Sequence, residues 1–352
     1  MLQTAIMDNS QDILFKVENN VGWITLNRPR ALNALTLDMI MRMSEKLRQW
    51  EEDGDIKMII VQGEGDRAFC SGGDIKSIAK QKGESFQTDF IREEYKLDYQ
   101  ISQLKTLYIS VWDGIVMGGG VGISRMGHIR IATDRTLFAM PECGIGIIPD
   151  VGAGYFLSQL GHVGLYLGLT GTRVDGGTCL DLGLATHWCH RSQVPGILTT
   201  LSQLKDMTMD SVTRVLEQVS NRDIAGENML ARHDEEIRST FGSAVTLSEI
   251  MQNLQSSQSE FSQETLDKIN KCSPTSICIA FQQIKAAPSC YKEALEIEYR
   301  VMKNRFKDTD FYEGVRAAVI DKDHNPRWNP SSIEEVKIID QYFKQAPSDL
   351  EL

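Results

Sequence analysis

Residues 108–124 read YISVWDGIVMGGGVGIS, and the fold class follows from the pattern in this stretch. The short apolar run 108–112, rich in aromatic and β-branched side chains, predicts a buried strand. A glycine-rich turn follows, and we expect a helix from Gly118 onward. A strand, a turn and a helix in this order form the repeating unit of α/β proteins.

The same order of elements recurs on both sides of this stretch. Asn19-Asn20 supplies turn residues between two apolar runs, which predicts a β-hairpin. Thr36 is a suitable N-cap for the amphipathic run that follows it. Beyond Gly152 the strand signals fade and helical patterns continue to the C-terminus, so we expect an α/β core followed by a helical part. The strands expected besides 108–112 are 13–17, 21–26, 58–61, 129–132 and 137–139.

The length of 352 residues allows more than one structural unit. We expect residues 1–200 to form the α/β core and residues 201–352 to form a helical C-terminal region, with a soft boundary near residue 200. The polar segment 252–265, QNLQSSQSEFSQET, is interpreted as a solvated helix pair or a linker.

Composition and charge argue against several classes of protein. A net charge of -11 disfavours nucleic acid as a partner. The seven cysteines form no C-x-x-C pair, and the run HWCH at 187–190 lacks the rest of a tetrahedral set, so no metal is expected. No apolar run approaches the ~20 residues that span a bilayer, so no membrane partner is expected. The N-terminal MLQTAIMDNSQD resembles neither a secretory signal nor a transit peptide, which favours the cytoplasm.

Three glycine-rich segments lie at 70–74, 117–122 and 144–154. None of them matches a nucleotide-binding or serine-hydrolase signature. Each segment taken alone is also explained by a tight turn or close helix packing. Two such turns could, however, direct two backbone N–H groups at one carbonyl oxygen, which would form an oxyanion hole.

Two carboxylates, Glu142 and Asp150, are the candidate catalytic groups in the run MPECGIGIIPD. Glu142 has apolar neighbours on both sides, and the glycines and Pro149 argue against an unbroken helix, so we expect a loop that lines a pocket. A carboxylate in an apolar pocket has a raised pKa, which suits an acid, a base or a nucleophile near neutral pH. The alternative is structural: Glu142 would cap one helix, and Asp150 would be the N-cap of the run from Gly152.

Four segments in this order resemble the crotonase superfamily, the enoyl-CoA hydratases and isomerases. The resemblance implies a spiral core of repeated ββα units, and an acyl-CoA whose thioester oxygen lies between the N–H groups of Gly73 and Gly119. The segments are LNRPRALNAL at 26–35, FCSGGDI at 69–75, MGGGVGIS at 117–124 and MPECGIGIIPDVGAGYFLSQL at 140–160.

The same resemblance implies which residues bind the substrate. Four of them are expected to line the acyl site, although Glu94 could instead belong to the solvated face of a helix. The acyl site is expected to contain Glu94, Gly119, Glu142 and Asp150, and the CoA portion is expected to contact Arg28, Ala31 and Leu32, with Gly72 and Asp74 beside them.

The position of Gly122 separates the activities of the superfamily. Hydratases carry a glutamate there and pair it with the one that matches Glu142, so a two-glutamate hydration is disfavoured here. The segments PDVGAGYF at 149–156 and FIREEY at 90–95, with several C-terminal segments, are similar to a subfamily that hydrolyses 3-hydroxyisobutyryl-CoA in valine catabolism. This resemblance implies hydrolysis of a short-chain 3-hydroxyacyl-CoA thioester to the free acid and CoA.

The resemblance implies no metal or organic cofactor, because CoA is part of the substrate, and it leaves a homo-oligomer open. Two other hypotheses also stay open. The chain could be an enoyl-CoA hydratase or isomerase, which activity on crotonyl-CoA would reveal. It could also be a catalytically silent subunit of a larger assembly, although Glu142, Asp150 and both glycine turns argue against that.

Overall fold

The computed structural model describes residues 11–81, 85–220, 228–345 and 349–352. Within these ranges ten strands form two sheets. The larger sheet contains β1 (Ile13–Glu18), β2 (Val21–Leu26), β3 (Met58–Gly63), β5 (Leu107–Trp112), β7 (Ile129–Thr133) and β10 (His187–Cys189). The smaller sheet contains β4 (Ala68–Cys70), β6 (Ile115–Met117), β8 (Leu137–Ala139) and β9 (Val174–Asp175).

Sixteen α-helices are present in the same ranges, with several short 3-10 and π turns between them. The helices are α1 (Leu37–Asp53), α2 (Ile75–Lys80), α3 (Phe86–Gln103), α4 (Gly119–Arg125), α5 (Ala153–Ser158), α6 (Gly161–Thr170), α7 (Gly176–Asp181), α8 (Val194–Ser202), α9 (Met209–Glu217), α10 (Asp234–Ile237), α11 (Leu247–Ser256), α12 (Glu260–Asn270), α13 (Pro274–Ala286), α14 (Tyr291–Arg305), α15 (Asp310–Val315) and α16 (Asp340–Phe343).

Successive strands from β3 to β8 alternate between the two sheets. The larger sheet has the order β1-β2-β3-β5-β7-β10, in which β1 and β2 are antiparallel and the other neighbours are parallel. The smaller sheet has the order β4-β6-β8-β9. Each pair of strands is followed by one or more helices, so the chain builds ββα units in succession. The expected α/β spiral core is confirmed.

The parallel strands of the smaller sheet bring the glycine-rich segments together. β4 leads into the turn 71–74, β6 leads into Gly118 at the start of α4, and β8 leads into a 3-10 helix at Glu142–Ile145. Because β4, β6 and β8 are parallel neighbours, these three exits lie along one edge of the sheet. The carboxyl ends of parallel strands are a common position for ligand sites.

The structure confirms the predictions that rest on turn and capping residues. Asn19 and Asn20 both have positive φ, at 52° and 61°, as the turn of a tight hairpin requires. The Thr36 side chain accepts a hydrogen bond from Met39 N and begins α1. Gly118 is the N-cap of α4. The polar segment 252–265 covers the end of α11 and the start of α12, so its interpretation as a helix pair is confirmed.

Two expectations are wrong in detail. Strands do not stop before Gly152, because β9 and β10 each add one short strand to a sheet after it. Runs of two and three residues are too brief to show periodicity in sequence. Asp150 does not cap α5, whose N-cap is Gly152 without a side-chain hydrogen bond. Its side chain accepts a hydrogen bond from Tyr95 instead.

The helical C-terminal part packs onto the α/β part through two buried clusters, and the larger one joins α5 to α13. That cluster contains Phe156 of α5 together with Ile277 and Ile284 of α13. Helix α13 packs against α5 and α6, and α14 packs against α3. The division at residue 200, which falls within α8, stays a prediction. In the described parts of the chain, every helix is too short or too polar to cross a bilayer.

Candidate active site

A cavity of about 610 Å³ opens at the edge where β4, β6 and β8 end. Its wall contains all the site residues that the sequence suggested, contributed by five separate segments of the chain. They are Arg28, Ala31, Leu32, Gly72, Gly73, Asp74, Glu94, Gly119, Glu142 and Asp150.

The backbone N–H groups of Gly73 and Gly119 lie next to each other in the cavity wall. A Cβ on Gly119 would lie 3.3 Å from Gly73 N, and a Cβ on Gly72 would lie 3.5 Å from Gly119 N. The residues on either side of Gly73 make the backbone hydrogen bonds to Leu35, each at 2.8 Å. The Gly119 N–H belongs to the first turn of α4, where a helix offers no acceptor. This arrangement suits donation by both groups to one ligand oxygen.

Glu142 is buried at the start of its 3-10 helix, with 5% of its surface exposed. Its Oε1 lies beside the start of α4, because a Cβ on Gly118 would be 3.1 Å away. Among the described residues, its Oε2 has no hydrogen-bond partner. Burial, reinforced by the charge of Asp150, holds the pKa of Glu142 well above its ordinary value. A buried carboxyl oxygen without a hydrogen-bond partner destabilises the folded protein unless a ligand or a water supplies that partner.

Asp150 faces the cavity and is oriented by a tyrosine. Tyr95, fully buried on α3, donates its hydroxyl to Asp150 Oδ2 at 2.6 Å. Burial raises the pKa of Asp150 from 3.8 to about 6, and the hydrogen bond from Tyr95 opposes that rise. Asp150 is therefore an acid–base candidate, and the helix-capping alternative is wrong.

Glu94 completes a group of three buried carboxyls around the cavity. It lies on α3, with 4% of its surface exposed, so the solvated-face alternative is wrong. Its Oε1 has no hydrogen-bond partner in the described ranges. Burial, followed by the charge of Asp150, raises the pKa of Glu94 well above its ordinary value. The mutual repulsion of these groups disfavours full ionisation of all three.

Arg28 and Asp74 have structural partners as well as a place in the wall. Arg28 Nη2 donates to Asp74 Oδ2 at 3.0 Å, and its Nη1 donates to Ala34 O at 2.6 Å. Asp74 also caps α2 by accepting from Ser77 N at 3.1 Å. Both side chains thus fix the turns that flank Gly73. Their contact with CoA stays a prediction.

Sequence reasoning missed the part of the cavity wall that comes from the C-terminal helices. The C-terminal segments that resemble the hydrolase subfamily, which include 311–317 and 321–323, were the signal available, but a resemblance assigns them no position in space. Tyr95 likewise lies in the segment FIREEY at 90–95, whose resemblance to the subfamily gives it no role. The C-terminal lining residues are Met302, Phe306, Phe311, Val319 and Lys322.

The turn that carries Glu142 is held by residues of the C-terminal part. Arg305 of α14 donates to Gly146 O from Nη2 at 2.6 Å and from Nε at 3.2 Å. Ser273 N donates to Cys143 O at 3.0 Å. The Arg305 Nη2 also lies 3.5 Å from Asp310 Oδ2, and each of these two side chains is 1% exposed.

Replacing Arg305 with methionine is expected to lower the free energy of unfolding by about 3–5 kcal/mol. The change would leave Asp310 as an unpaired buried charge and would remove both donors from Gly146 O. Urea denaturation followed by circular dichroism measures this loss. Arg48→Met is the control, because Arg48 pairs with Glu45 and Glu52 on an exposed face of α1 and should change stability little. Equal losses in the two variants would contradict the assignment.

Interleaved parallel sheets with glycine turns at the ends of the short strands define the crotonase fold. The family model described as enoyl-CoA hydratase/isomerase matches residues 21–343. The chain belongs to this family.

Relatives of this chain are known at nearly full length. The 3-hydroxyisobutyryl-CoA hydrolase of Xenopus tropicalis, named as mitochondrial, is 44% identical over 94% of this chain and 88% of its own length. That of Gallus gallus, also named as mitochondrial, is 41% identical over 96% of this chain and 90% of its own length. A crystal structure of a carnitinyl-CoA dehydratase from Mycobacterium thermoresistibile has a TM-score of 0.89 and 33% identity, covering 97% of this chain and 98% of its own.

Proposed function

We propose that the protein hydrolyses the thioester of 3-hydroxyisobutyryl-CoA and releases 3-hydroxyisobutyrate and CoA. The relatives that share 41% and 44% of its residues over nearly the whole chain carry that activity in their names. The observation that carries the proposal is the buried Glu142 carboxyl group, which lies in the same cavity wall as the N–H groups of Gly73 and Gly119.

The two glycine amides would stabilise the transition state. Attack on the thioester carbon places negative charge on the carbonyl oxygen, and donors held in place before the reaction stabilise that charge without reorganisation. Gly73 lies in a turn fixed by hydrogen bonds to Leu35, and Gly119 opens a helix, so neither donor has to move.

Glu142 would act by one of two routes. In the first, its carboxylate attacks the thioester carbon, the C–S bond breaks, and water then hydrolyses the mixed anhydride. In the second, Glu142 takes a proton from a water that attacks the same carbon. Both routes consume one water, and the departing CoA thiolate takes one proton. Asp150 would orient the water or help to deliver that proton.

The three buried carboxyls also fit a hydroxylated acyl group. A 3-hydroxyl needs a hydrogen-bond acceptor once it leaves water, and the Glu94 Oε1 is a buried oxygen without a partner among the described residues. A purely hydrocarbon chain would leave that oxygen unsatisfied. The proposed reaction calls for no metal or organic cofactor, because amides and carboxyls supply the electrostatics.

Hydration of an enoyl-CoA is the second candidate, since the similar crystal structure is of a carnitinyl-CoA dehydratase. The surroundings of Gly122 disfavour it. A Cβ at this position would lie 2.5 Å from Asp98 Oδ2, in space already filled by a fully buried side chain. A second glutamate at position 122 therefore has no room unless Asp98 moves.

A substrate panel tests the proposed function. Purified protein is mixed with 3-hydroxyisobutyryl-CoA, 3-hydroxypropionyl-CoA or acetyl-CoA, and free thiol is followed with a chromogenic disulfide. We expect kcat/KM to be highest for the two hydroxyacyl substrates. A second assay follows the absorbance of crotonyl-CoA. Loss of this absorbance without release of free thiol would instead favour a hydratase. Inactivity in both assays, with co-purification in a large complex, would favour a silent subunit.

The pH dependence should report the ionisation of Asp150. If the reaction needs ionised Asp150, kcat/KM rises with pH through about 6. Tyr95→Phe removes a hydrogen-bond donor that favours the ionised carboxylate, so the pKa of Asp150 should rise. The acidic limb of the plot of kcat/KM against pH should therefore move to higher pH by about one unit. Rates between pH 5 and 9 measure the shift.

Tyr108→Phe is the control for this shift, because its buried hydroxyl donates to Ile123 O and Tyr108 is not part of the cavity wall. Its acidic limb should stay in place. An unchanged limb in Tyr95→Phe would show that ionisation of Asp150 does not control the rate.

Compartment and assembly remain predictions. The relatives named above are mitochondrial proteins, so they favour an organelle over the cytoplasm expected from the sequence. That expectation rests on the composition of the N-terminal MLQTAIMDNSQD, of which residues 1–10 lie outside the described residues. Cell fractionation tests the compartment, and light scattering tests self-association.

A further inference from the structure

The loop that carries Asp150 has an unfavourable backbone conformation. Val151 has a φ of 53°, in the left-handed region that β-branched residues rarely adopt. Gly152 follows with a φ of 86°, and a Cβ there would collide with the Tyr291 ring. A conformation of this kind persists where surrounding contacts fix it, at a cost of about 1–3 kcal/mol.

Glu298 of α14 supplies the central contact. Its Oε2 accepts a hydrogen bond from Gly152 N at 2.6 Å, and its Oε1 accepts one from Gly154 N at 2.9 Å. The side chain is fully buried. Both carboxyl oxygens are thus bonded to the backbone immediately after Asp150, from a residue 146 positions away in the sequence.

Two further side chains of the C-terminal helices hold the same loop. Gln283 Nε2 donates to Pro149 O at 2.7 Å and to Glu298 Oε1 at 3.2 Å. Tyr291 donates its hydroxyl to Val151 O at 3.3 Å. Contacts therefore reach the backbone on both sides of Asp150, at residues 149, 151, 152 and 154.

We propose that Glu298, supported by Gln283, is a positioning residue for the hydrolysis: it fixes the 149–154 loop so that the Asp150 carboxylate faces the thioester. The inference rests on the proposed function. Among the described residues, the Asp150 side chain has one hydrogen bond, from Tyr95, so the position of its carboxylate depends on that bond and on the backbone of the 149–154 loop. The hydrogen bonds of Glu298 join it to Gly152, Gly154 and Gln283, none of which lines the cavity, so it acts through the loop.

Replacing one carboxyl oxygen of Glu298 with an NH₂ group is expected to break one of its two hydrogen bonds to the loop. A glutamine at position 298 has one carbonyl oxygen and one NH₂ group, so it can accept from Gly152 N or Gly154 N while presenting a donor to the other. One buried N–H would lose its acceptor, and the loop would have to shift. Misplacement of a reacting group by about 1 Å costs about a hundredfold in rate.

The test is a double-mutant cycle on 3-hydroxyisobutyryl-CoA. Glu298→Gln should lower kcat about 10- to 100-fold with little change in KM. In the Asp150→Asn background, which keeps Glu142 and both glycine amides, the same replacement should cause little further loss. Gln283→Met, a milder change that removes both amide donors, should lower kcat in the same direction. Glu296→Gln, on the same helix but partly exposed and 3.9 Å from Lys292, is the matched control and should keep normal kcat.

Every outcome of this double-mutant cycle either supports the inference or overturns it. Normal kcat in folded Glu298→Gln overturns it, and so do losses that multiply in full in the Asp150→Asn background, since these indicate a general structural role. If Glu298→Gln fails to fold, Gln283→Met decides, and a normal kcat there overturns the inference. A wild-type protein that does not hydrolyse the substrate overturns the proposed function itself, whereas active wild type with unaffected variants overturns the inference alone.

Discussion

Glu142→Gln is expected to lower kcat for 3-hydroxyisobutyryl-CoA about 10²- to 10⁴-fold, with little change in KM. The amide is almost the same size as the carboxyl group but neither attacks a carbonyl nor accepts a proton. Substrate binding should persist because the cavity and the two glycine amides are unchanged. Free-thiol release under single-turnover and steady-state conditions measures the loss.

The fold of this variant should be intact. Burial already disfavours the charged form of Glu142, so a neutral amide at this position should not lower the melting temperature. Near-normal hydrolysis by folded Glu142→Gln would refute the assignment. For the wild type, one turnover in oxygen-18 water tests the covalent route: water that attacks the Glu142 carbonyl of the anhydride leaves label in Glu142, which general-base attack cannot do.

Gly119→Ala is expected to lower kcat/KM by about 10²- to 10³-fold, the usual cost of losing one oxyanion-hole donor. The new Cβ would collide with Glu94 Oε1 and would lie 3.3 Å from Gly73 N, so it occupies the space in which a thioester oxygen would be held. Both the donors and the neighbouring carboxylate would have to shift. A thermal melting curve should be measured with the kinetics to show that the variant is folded.

Gly144→Ala is the matched control for this change. Gly144 lies in the 3-10 helix of Glu142, yet a Cβ there would have no atom within 4 Å among those described. It should retain wild-type kcat/KM. If Gly119→Ala kept that rate as well, the thioester oxygen would have to bind elsewhere, and the proposed hole would be wrong.

The sequence predicted the framework of the site because the signals involved are local. The turn at Asn19-Asn20, the cap at Thr36 and the helix start at Gly118 each depend on residues within a few positions of one another. Strands β5 and β8 are apolar runs bounded by turn residues, and such runs are readable without knowing their neighbours.

Asp150 shows where local signals stop being sufficient. From sequence it is equally an N-cap for the following helix and a cavity carboxylate, because both need an acidic residue before a turn. The structure decides for the cavity, since Tyr95 of α3 reaches its Oδ2 and Gly152 takes the cap position. That contact joins residues 55 positions apart.

The sequence could not predict which side chains hold the turn of Glu142 and the loop of Asp150, for the same reason. Arg305 and Glu298 bond to backbone groups of Gly146 and Gly152, and a backbone acceptor or donor leaves no trace in the sequence of its partner. Their own burial could not be read from α14 either, because an arginine and a glutamate on a helix are usually exposed.

By itself, the sequence determined the α/β framework, the glycine turns and the identity of the carboxylates, because periodicity, capping and turn chemistry act over a few residues. The tertiary structure alone decided which groups lie together: the two amides in one wall, three buried carboxyls around one cavity, and C-terminal helices that hold both loops. Burial and the resulting pKa shifts arise from packing between distant segments, and packing is a property of the folded chain as a whole.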